Sequence, residues 1–287
     1  VSDLITASIA VGIVALLALA AGWWVGRRGP TWSHAAAMLL MGGLIAVYLL
    51  VLRDSVALTT LGPWSALMIY ADPLPWVAAF VGGLVLGQTA LPWWRRGVLA
   101  VAVAVAGWWG PYTVLSAEPP PVDEPSVWRD GVCLQSQWGT CVPAAAATLL
   151  RAHGVEASEA EMAELCRTGE DGTHLLGLWR GLVLKGQPAG LEPAAAALSI
   201  DDLRDRPEVL PAVLELKLTV EVARREPRYV TDWGWEVGVI HTVVAFGWRP
   251  DGRLDIGDPA TRRESFTVSG LDELWTGQAV WLERVGE

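Results

Sequence analysis

The sequence predicts an α+β chain in two parts: four membrane-crossing helices within residues 1–116, then, after a linker at 117–126, a domain at 127–287 with helices first and an antiparallel sheet second. Three observations carry this. The 287 residues are 52% hydrophobic, too apolar for one ordinary water-soluble domain. The charges are split: residues 1–116 hold three acidic side chains and five arginines, a net +2, whereas 117–287 hold 28 acidic and 16 basic ones, a net −12. Within the second part, the apolar residues change from a helical to a strand-like period near residue 209. The acidity argues against a nucleic-acid partner. Three cysteines, Cys133, Cys141 and Cys166, do not make a disulfide scaffold, and no CxxC or histidine-rich spacing points to a metal, so no metal and no other cofactor is expected.

Leu4 to Val25 is an uncharged apolar run ending in GWWVGRR, long enough to cross a hydrocarbon core of ~30 Å at ~1.5 Å per residue. Asp3 is the only charge ahead of it and the run exceeds a usual signal-peptide core, so it reads as a retained anchor in the lipid bilayer rather than a cleaved signal. A second span, 34–52, stops at Arg53 and Asp54, with His34 at its interfacial edge. Val56 to Tyr70 is apolar but broken by Thr59, Thr60, Gly62 and Pro63, and is followed by Asp72, Pro73 and Pro75; it reads as a loop or interfacial segment. The third span is expected at 76–91 and the fourth at 97–115, with Trp93, Trp94, Trp108, Trp109 and Tyr112 in the aromatic belts. Arg27 and Arg28 lie between the first two spans, Arg95 and Arg96 between the last two, so both loops are expected in the cytoplasm and everything after Leu115 outside it. A fifth crossing at 56–70 would reverse that side.

Ala117 to Ser126, AEPPPVDEPS, is acidic and proline-rich, a stiff spacer without periodicity. The stretch that organises the domain follows at 135–150, QSQWGTCVPAAAATLL. Cys141 stands where an alanine run opens a helix, Pro143 fits its first turn and Gly154 its end. A helix start offers unpaired N–H groups and the positive end of the dipole, which favour a thiolate over a thiol. Ser158 and Glu161 have capping-box spacing for a helix to about Arg167, and a third helix is expected from about Thr173 to Leu184, closed by Gly186. Val209–Leu218, Val237–Trp248, Leu254–Gly257 and Ala279–Glu283 read as strands.

His241 lies inside VGVIHTVVAFGW, Asp258 ends RLDIGDP, and Pro250, Asp251 and Gly252 between them signal a turn. A hairpin centred near Asp251 sets position 241 opposite about 260, so histidine and aspartate fall on neighbouring strands almost face to face. An aspartate there fixes the imidazole tautomer while the other nitrogen takes the thiol proton. Gln135, six residues before Cys141, offers a side-chain amide to the oxygen that turns negative when a carbonyl is attacked, with the backbone N–H of Cys141 as the second donor. Alone, each residue has a plain structural reading: a small buried cysteine, a core histidine, an Asp-Pro turn. Together, in the order Gln, Cys, His, Asp, they have the chain order of papain-like thiol hydrolases.

On these residues the domain resembles the C39 peptidase family, papain-like cysteine proteases known as the domains that trim double-glycine leader peptides in bacteriocin-exporting ABC transporters. The likeness is carried by QSQWGTCVPAA at 135–145, DGTHLLGL at 171–178, LPAVLEL at 210–216, HTVVAF at 241–246 with DPA at 258–260, and LWTGQAVWL at 274–282, and it covers about 127 to 285. It implies a papain-like fold, Cys141 as nucleophile, His241 as general base and acid, Asp258 as orienting residue and Gln135 as oxyanion donor. The family's Asp-Cys-Gly is here Thr140, Cys141, Val142, the membrane spans precede the domain, and no GxxxxGK[ST] loop occurs. A further stretch between the 210–218 strand and His241, with Arg224, Arg225, Arg228, Trp233 and Trp235, reads either as a lid or as a solvated insertion. Cys133 and Cys166 are either bridged or two free thiols, and His153 and His174 are helix-end and turn residues.

The expected function is therefore that of a multi-pass membrane-anchored cysteine peptidase acting on a peptide or protein substrate outside the cytoplasm, on exported peptides or leader sequences, with a separate ABC-type exporter as partner. The alternatives are a non-catalytic C39-like module that holds an export substrate, and a papain-like fold doing acyl transfer or amide hydrolysis on a non-protein substrate.

Overall fold

A computed structural model of the chain describes residues 2–286. It divides into two compact units, Val1–Asp54 with Ala66–Ala117, and Ser55–Ser65 with Glu118–Glu287.

The first unit is helical. α1 (Ser2–Arg28) is one uninterrupted apolar helix, and α2 (Thr31–Val47) runs on through a π-helical turn at Tyr48–Leu52. α3 (Leu67–Tyr70) and α4 (Leu74–Gly87) follow, then α5 (Trp93–Gly107) and α6 (Trp109–Ser116), which meet at a 45° bend. Three helices, Ser2–Arg28, Trp32–Leu52 and Leu67–Gly87, are long and apolar enough to cross a membrane, and the bent pair makes a fourth if it counts as one span. The third of these helices, Leu67–Gly87, begins ahead of the 76–91 expected for the third span. Pro73 and Pro75, taken as breakers, sit at the N-cap and in the first turn of α4, where no intrahelical N–H is lost, and Asp72 Oδ1 accepts the N–H of Leu74 at 2.9 Å.

α1 and α4 cross backbone to backbone through glycines spaced four apart on each helix. A Cβ on Gly22 would lie 2.0 Å from the Phe80 carbonyl oxygen, one on Gly26 2.4 Å from that of Leu84, one on Gly83 2.1 Å from that of Leu19 and one on Gly87 2.6 Å from that of Trp23. Close approach of this kind sets the two backbones in van der Waals contact, which only glycine at these positions allows.

In the second unit a short hairpin of β1 (Trp128–Arg129) and β2 (Val132–Cys133) leads to α7 (Cys141–Ala152), α8 (Glu159–Leu165) and α9 (Leu175–Gly186). α7 is the central helix, buried from Val142 to Leu150. It ends as expected at Gly154, in the left-handed conformation at φ 79°. Ser158 caps α8 through the N–H of Glu161 at 3.0 Å, while the Glu161 carboxylate goes to Lys185 at 2.5 Å.

The chain then forms β3 (Leu191–Ala197), α10 (Ile200–Asp205), β4 (Ala212–Lys217), α11 (Val220–Arg225), α12 (Arg228–Thr231), β5 (Ile240–Trp248), β6 (Leu254–Gly257), β7 (Arg263–Phe266), α13 (Val268–Asp272) and β8 (Trp275–Arg284). Six strands make one antiparallel sheet in the order β3-β8-β4-β5-β6-β7. The fold is the expected α+β one: helices first, antiparallel sheet second. α7 packs on β4 and β5. A large core joins Leu214 and Leu216 of β4, Val243 and Ala245 of β5, Ile256 and Trp281 to Tyr229, Trp235 and Phe266.

Two segments join this unit from outside its sheet. Val56–Leu61 forms a 3-10 turn that packs on the edge strand β3 and on α9, with Val56 and Leu58 buried and the Val56 N–H donating to Gln278 Oε1 of β8 at 2.8 Å. The proline-rich stretch is fastened to the domain by its second half: Asp123 N–H donates to Ser136 Oγ at 3.1 Å and Ser126 Oγ accepts from Glu159 N–H at 2.9 Å.

Candidate active site

Cys141 is the first residue of α7, partly exposed, with the fully buried Thr140 as N-cap. The loop before it is closed on itself: Thr140 Oγ1 donates to the Gln137 carbonyl at 2.9 Å and the Gln137 N–H lies 3.1 Å from the same hydroxyl. Two outside partners hold it. The buried Glu159 accepts the Ser136 N–H at 2.8 Å, and the Gln135 N–H donates to the carbonyl of Pro259, the residue after Asp258, at 2.9 Å. The cysteine loop and the aspartate turn are thereby pinned to each other through the backbone.

β5 and β6 pair with Val244 opposite Gly257, and beyond that pair the chain turns at 258–261 toward β7, which leaves Asp258 beside His241. Asp258 follows directly on β6. It is fully buried, and His241 Nε2 lies 2.6 Å from its Oδ1, which also accepts the Ala260 N–H at 2.8 Å. Its other oxygen accepts the indole N–H of Trp235 at 3.0 Å, and the Trp235 ring lies 4.6 Å, centroid to centroid, from the His241 imidazole.

Charge follows from this arrangement. Burial pulls the His241 imidazole down, but the Asp258 carboxylate beside it, through charge and hydrogen bond, and the hydrogen bond to Cys141 raise it from 6.5 to about 10. Burial pushes the Cys141 thiol up, yet hydrogen bonding and charge from His241, together with the backbone and hydroxyl of Thr242, bring it below its ordinary value. The other two cysteines behave oppositely: both are free and buried, and burial pushes Cys133, helped by the nearby Glu159 charge, and Cys166 up to about 12. The bridged alternative for that pair does not hold.

Gln135 is placed differently from its neighbours. Its Nε2 donates to the Gln137 carbonyl at 3.1 Å and more weakly toward the Trp138 carbonyl at 3.5 Å, and its Oε1 is buried without a partner. The amide cannot be reversed without setting an oxygen against two carbonyl oxygens. The structure thus brings Cys141, His241 and Asp258 together, and directs the Gln135 amide into its own loop.

Trp235, Thr242 and the Pro259 carbonyl were not foreseen from the sequence. Trp235 lies in the stretch that read as lid or solvated insertion, and it is neither: only 3% exposed, it belongs to the core. The signal was its WGW context, too hydrophobic for a solvated loop. His153 and His174 are cap residues of α7 and α9. Among the described residues no three or more His, Cys, Asp or Glu side chains gather as metal ligands.

Comparison with known proteins bears on this site. The model of the Peptidase C39 family matches residues 130–218, a stretch that contains Gln135 and Cys141 and stops before His241 and Asp258. An uncharacterized protein of Methanothermobacter thermautotrophicus is 40% identical over 73 residues, 25% of this chain and 49% of its own length. One from Methanothermobacter marburgensis is 44% identical over 70 residues, 24% and 46%. The chain spans about half the length of these curated relatives. Among solved structures, the peptidase domain of Streptococcus ComA, a bi-functional ABC transporter involved in a quorum sensing pathway, aligns with 54% of this chain and 99% of its own at 21% identity and a TM-score of 0.42. A double glycine motif protease from an AMS/PCAT transporter, in complex with its leader peptide, aligns with 57% and 98% at 16% identity and a TM-score of 0.42. The segment that starts just before the cysteine loop and ends with β4, residues 130–218, is thus a Peptidase C39 family match.

Proposed function

We propose that residues 118–287 are the catalytic domain of a membrane-anchored cysteine peptidase that cleaves peptide bonds through Cys141, His241 and Asp258. The observation that carries this reading is geometric: Cys141 opens α7 beside His241, whose Nε2 lies 2.6 Å from the fully buried Asp258 carboxylate, an arrangement that lowers the thiol and raises the imidazole. A structural cysteine buried among apolar groups is shifted the other way, as Cys133 and Cys166 are.

The chemistry follows from the atoms in place. His241 Nε2 is committed to Asp258, which leaves Nδ1 to hold the proton taken from the Cys141 sulfur. The thiolate attacks the scissile carbonyl carbon, and the oxygen that becomes negative is met by N–H groups at the start of α7. For Gln135 to be the second donor, one amide hydrogen turns from the Trp138 carbonyl, its weaker partner, to the oxyanion. The tetrahedral adduct collapses as the imidazolium gives its proton to the leaving amine. Water, deprotonated by the same imidazole, then cleaves the thioester and restores the thiolate.

The reading takes exported peptides or leader sequences as substrates and a separate ABC-type exporter as partner, and it sets the domain outside the cytoplasm. Two observations support that side. Arg27, Arg28, Arg95 and Arg96 mark their loops as cytoplasmic. Ser55–Ser65 also belongs to the same compact unit as Glu118–Glu287, so both flank an even number of crossings, namely Leu67–Gly87 and the bent pair. The inward-turned amide of Gln135 favours a second reading, a C39-like module that binds an export substrate without cutting it.

A peptide aldehyde or chloromethyl ketone offered to the full chain in detergent should label Cys141, with labelling lost in His241→Ala. A folded chain whose Cys141 stays unlabelled between pH 5 and 9 would leave the binding module as the better reading. For the side, Glu118→Cys in intact cells should react with a membrane-impermeant maleimide; reaction only after permeabilisation reverses the orientation.

A further inference from the structure

The Asp258 carboxylate is fully buried, and each of its oxygens has assigned work. Oδ1 takes His241 and the Ala260 N–H; Oδ2 takes the Trp235 indole N–H at 3.0 Å. Without that indole, Oδ2 would be a buried anionic oxygen with no donor, and the carboxylate would be free to turn about its Cβ–Cγ bond. The indole does a second thing: its ring lies against the imidazole at an interplanar angle of 43°, limiting the ring's tilt. Trp235 is in turn held on its other sides. Tyr229 of α12 stacks on it at 5.2 Å, Trp233 meets it edge-on at 5.5 Å, and Phe266 at the end of β7 closes the cluster at 6.4 Å. Arg228 covers the Tyr229 and Trp233 rings. The stretch from α11 to Trp235 is thus a bracket built against the histidine–aspartate pair.

We propose that Trp235 is a positioning residue that fixes the rotamer of Asp258 and the plane of His241, so that the imidazole presents its free nitrogen to Cys141. This inference rests on the peptidase reading. The alternative is that Trp235 is core filling whose N–H merely found an acceptor. The two differ in what removal of the N–H alone does. A filler affects stability; a positioning residue affects the pH window over which Cys141 is a thiolate. The charged and titratable groups facing the pair are Cys141 and Asp258 at the site and, around the bracket, Arg228, Tyr229, Glu226 and Glu273.

The experiment follows iodoacetamide alkylation of Cys141 by mass spectrometry from pH 5 to 11 in the full chain in detergent. Trp235→Phe keeps the ring and removes the donor; Trp233→Phe changes the same cluster without touching Asp258. In Trp235→Phe the acid limb should move up, the basic limb down, and the rate at pH 7 should fall roughly tenfold to a hundredfold, the effect of losing a hydrogen bond to a charged group. Trp233→Phe should keep the wild-type profile. A folded Trp235→Phe with the wild-type profile overturns the positioning role and leaves the peptidase reading intact; an ordinary thiol profile in the wild type itself strikes the peptidase reading instead. Should Trp235→Phe fail to fold, nitrogen-15 indole spectra of a Trp138→Phe chain decide the matter. An indole resonance should shift when Cys141 is alkylated, and a spectrum in which none moves overturns the proposal.

Discussion

Asp258→Asn removes one charge and changes almost nothing else in shape, and the structure says why the change should be severe. The carboxylate accepts three N–H donors in a site with no solvent contact. An asparagine amide has one accepting oxygen and a donating nitrogen. If its oxygen stays with His241 and Ala260, its NH2 faces the Trp235 N–H, donor against donor. If it turns over, the NH2 faces His241 Nε2, which must then lose its hydrogen and hold the wrong tautomer. The electrostatic part is larger. His241 is held above its ordinary value as the imidazolium, and of the groups that raise it the Asp258 carboxylate comes first. Without it, burial is opposed only by Cys141, the imidazole falls, and the Cys141 thiol loses part of the charge that lowers it. Breaking a buried pair is worth about 3–5 kcal/mol, so alkylation of Cys141 at pH 7 should drop by roughly two to four orders of magnitude. The assay is iodoacetamide labelling against pH, read by mass spectrometry. Cys133 and Cys166, fully buried, stay unlabelled while the chain is folded and so report unfolding in the same spectrum. An Asp258→Asn curve superimposable on the wild type, with those two thiols protected, would refute the reasoning.

Gln135→Ala should lower peptide cleavage by about 2.7–4 kcal/mol of barrier with little change in Cys141 alkylation, since the amide serves the oxyanion and not the thiolate; full retained cleavage removes it from the mechanism. The raised His241 makes stability pH-dependent. The effect is seen alone in a Cys141→Ala background, where no released thiol proton offsets it: with Asp258 holding His241 above 6.5, the contribution is complete below the unfolded value and lost as pH rises through the folded one, so the melting-temperature advantage of Cys141→Ala over Cys141→Ala with His241→Gln should shrink as pH rises in calorimetry. Leu58→Ala, in the 3-10 turn, should destabilise the second unit by about 2–5 kcal/mol in denaturant titration, as for other buried leucines. Gly83→Leu would put a side chain into the Leu19 carbonyl and should break the α1–α4 pair, seen as faster proteolysis in detergent, whereas Gly42→Leu, with no atom within 4 Å of the new Cβ, should not.

What could be read from the sequence was whatever is fixed locally. The start of α7 is announced by Pro143 and its end by Gly154, and the β5–β6 register follows from a turn that needs Gly252 at positive φ. Hence Cys141, His241 and Asp258 were legible as neighbours. β3 was not, because LEPAAAA has no strand preference and becomes a strand only by pairing with β8. β7, with the sequence RESF, is too short and polar to show a period. Trp235 was named only as part of an insertion, since its partner is set by where α12 turns the chain. The Gln135 amide was read correctly as near the cysteine in sequence, but which carbonyls it meets depends on the loop's own closure. The helix boundary at Leu67 was missed because two prolines were taken as stops when they are tolerated at a helix start.

The 3-10 turn at Val56–Leu61 has one more implication. The second unit draws on the chain twice, once as Ser55–Ser65, after α2, and again from Glu118 onward, after α6. A nick anywhere in 117–126 would free the chain beyond it from covalent attachment and leave it held by non-covalent contacts alone, Val56 and Leu58 against β3 and α9 and the Val56 N–H on Gln278. On the peptidase reading, release of the domain by proteolysis therefore takes one cut in that stretch and the unpacking of this turn.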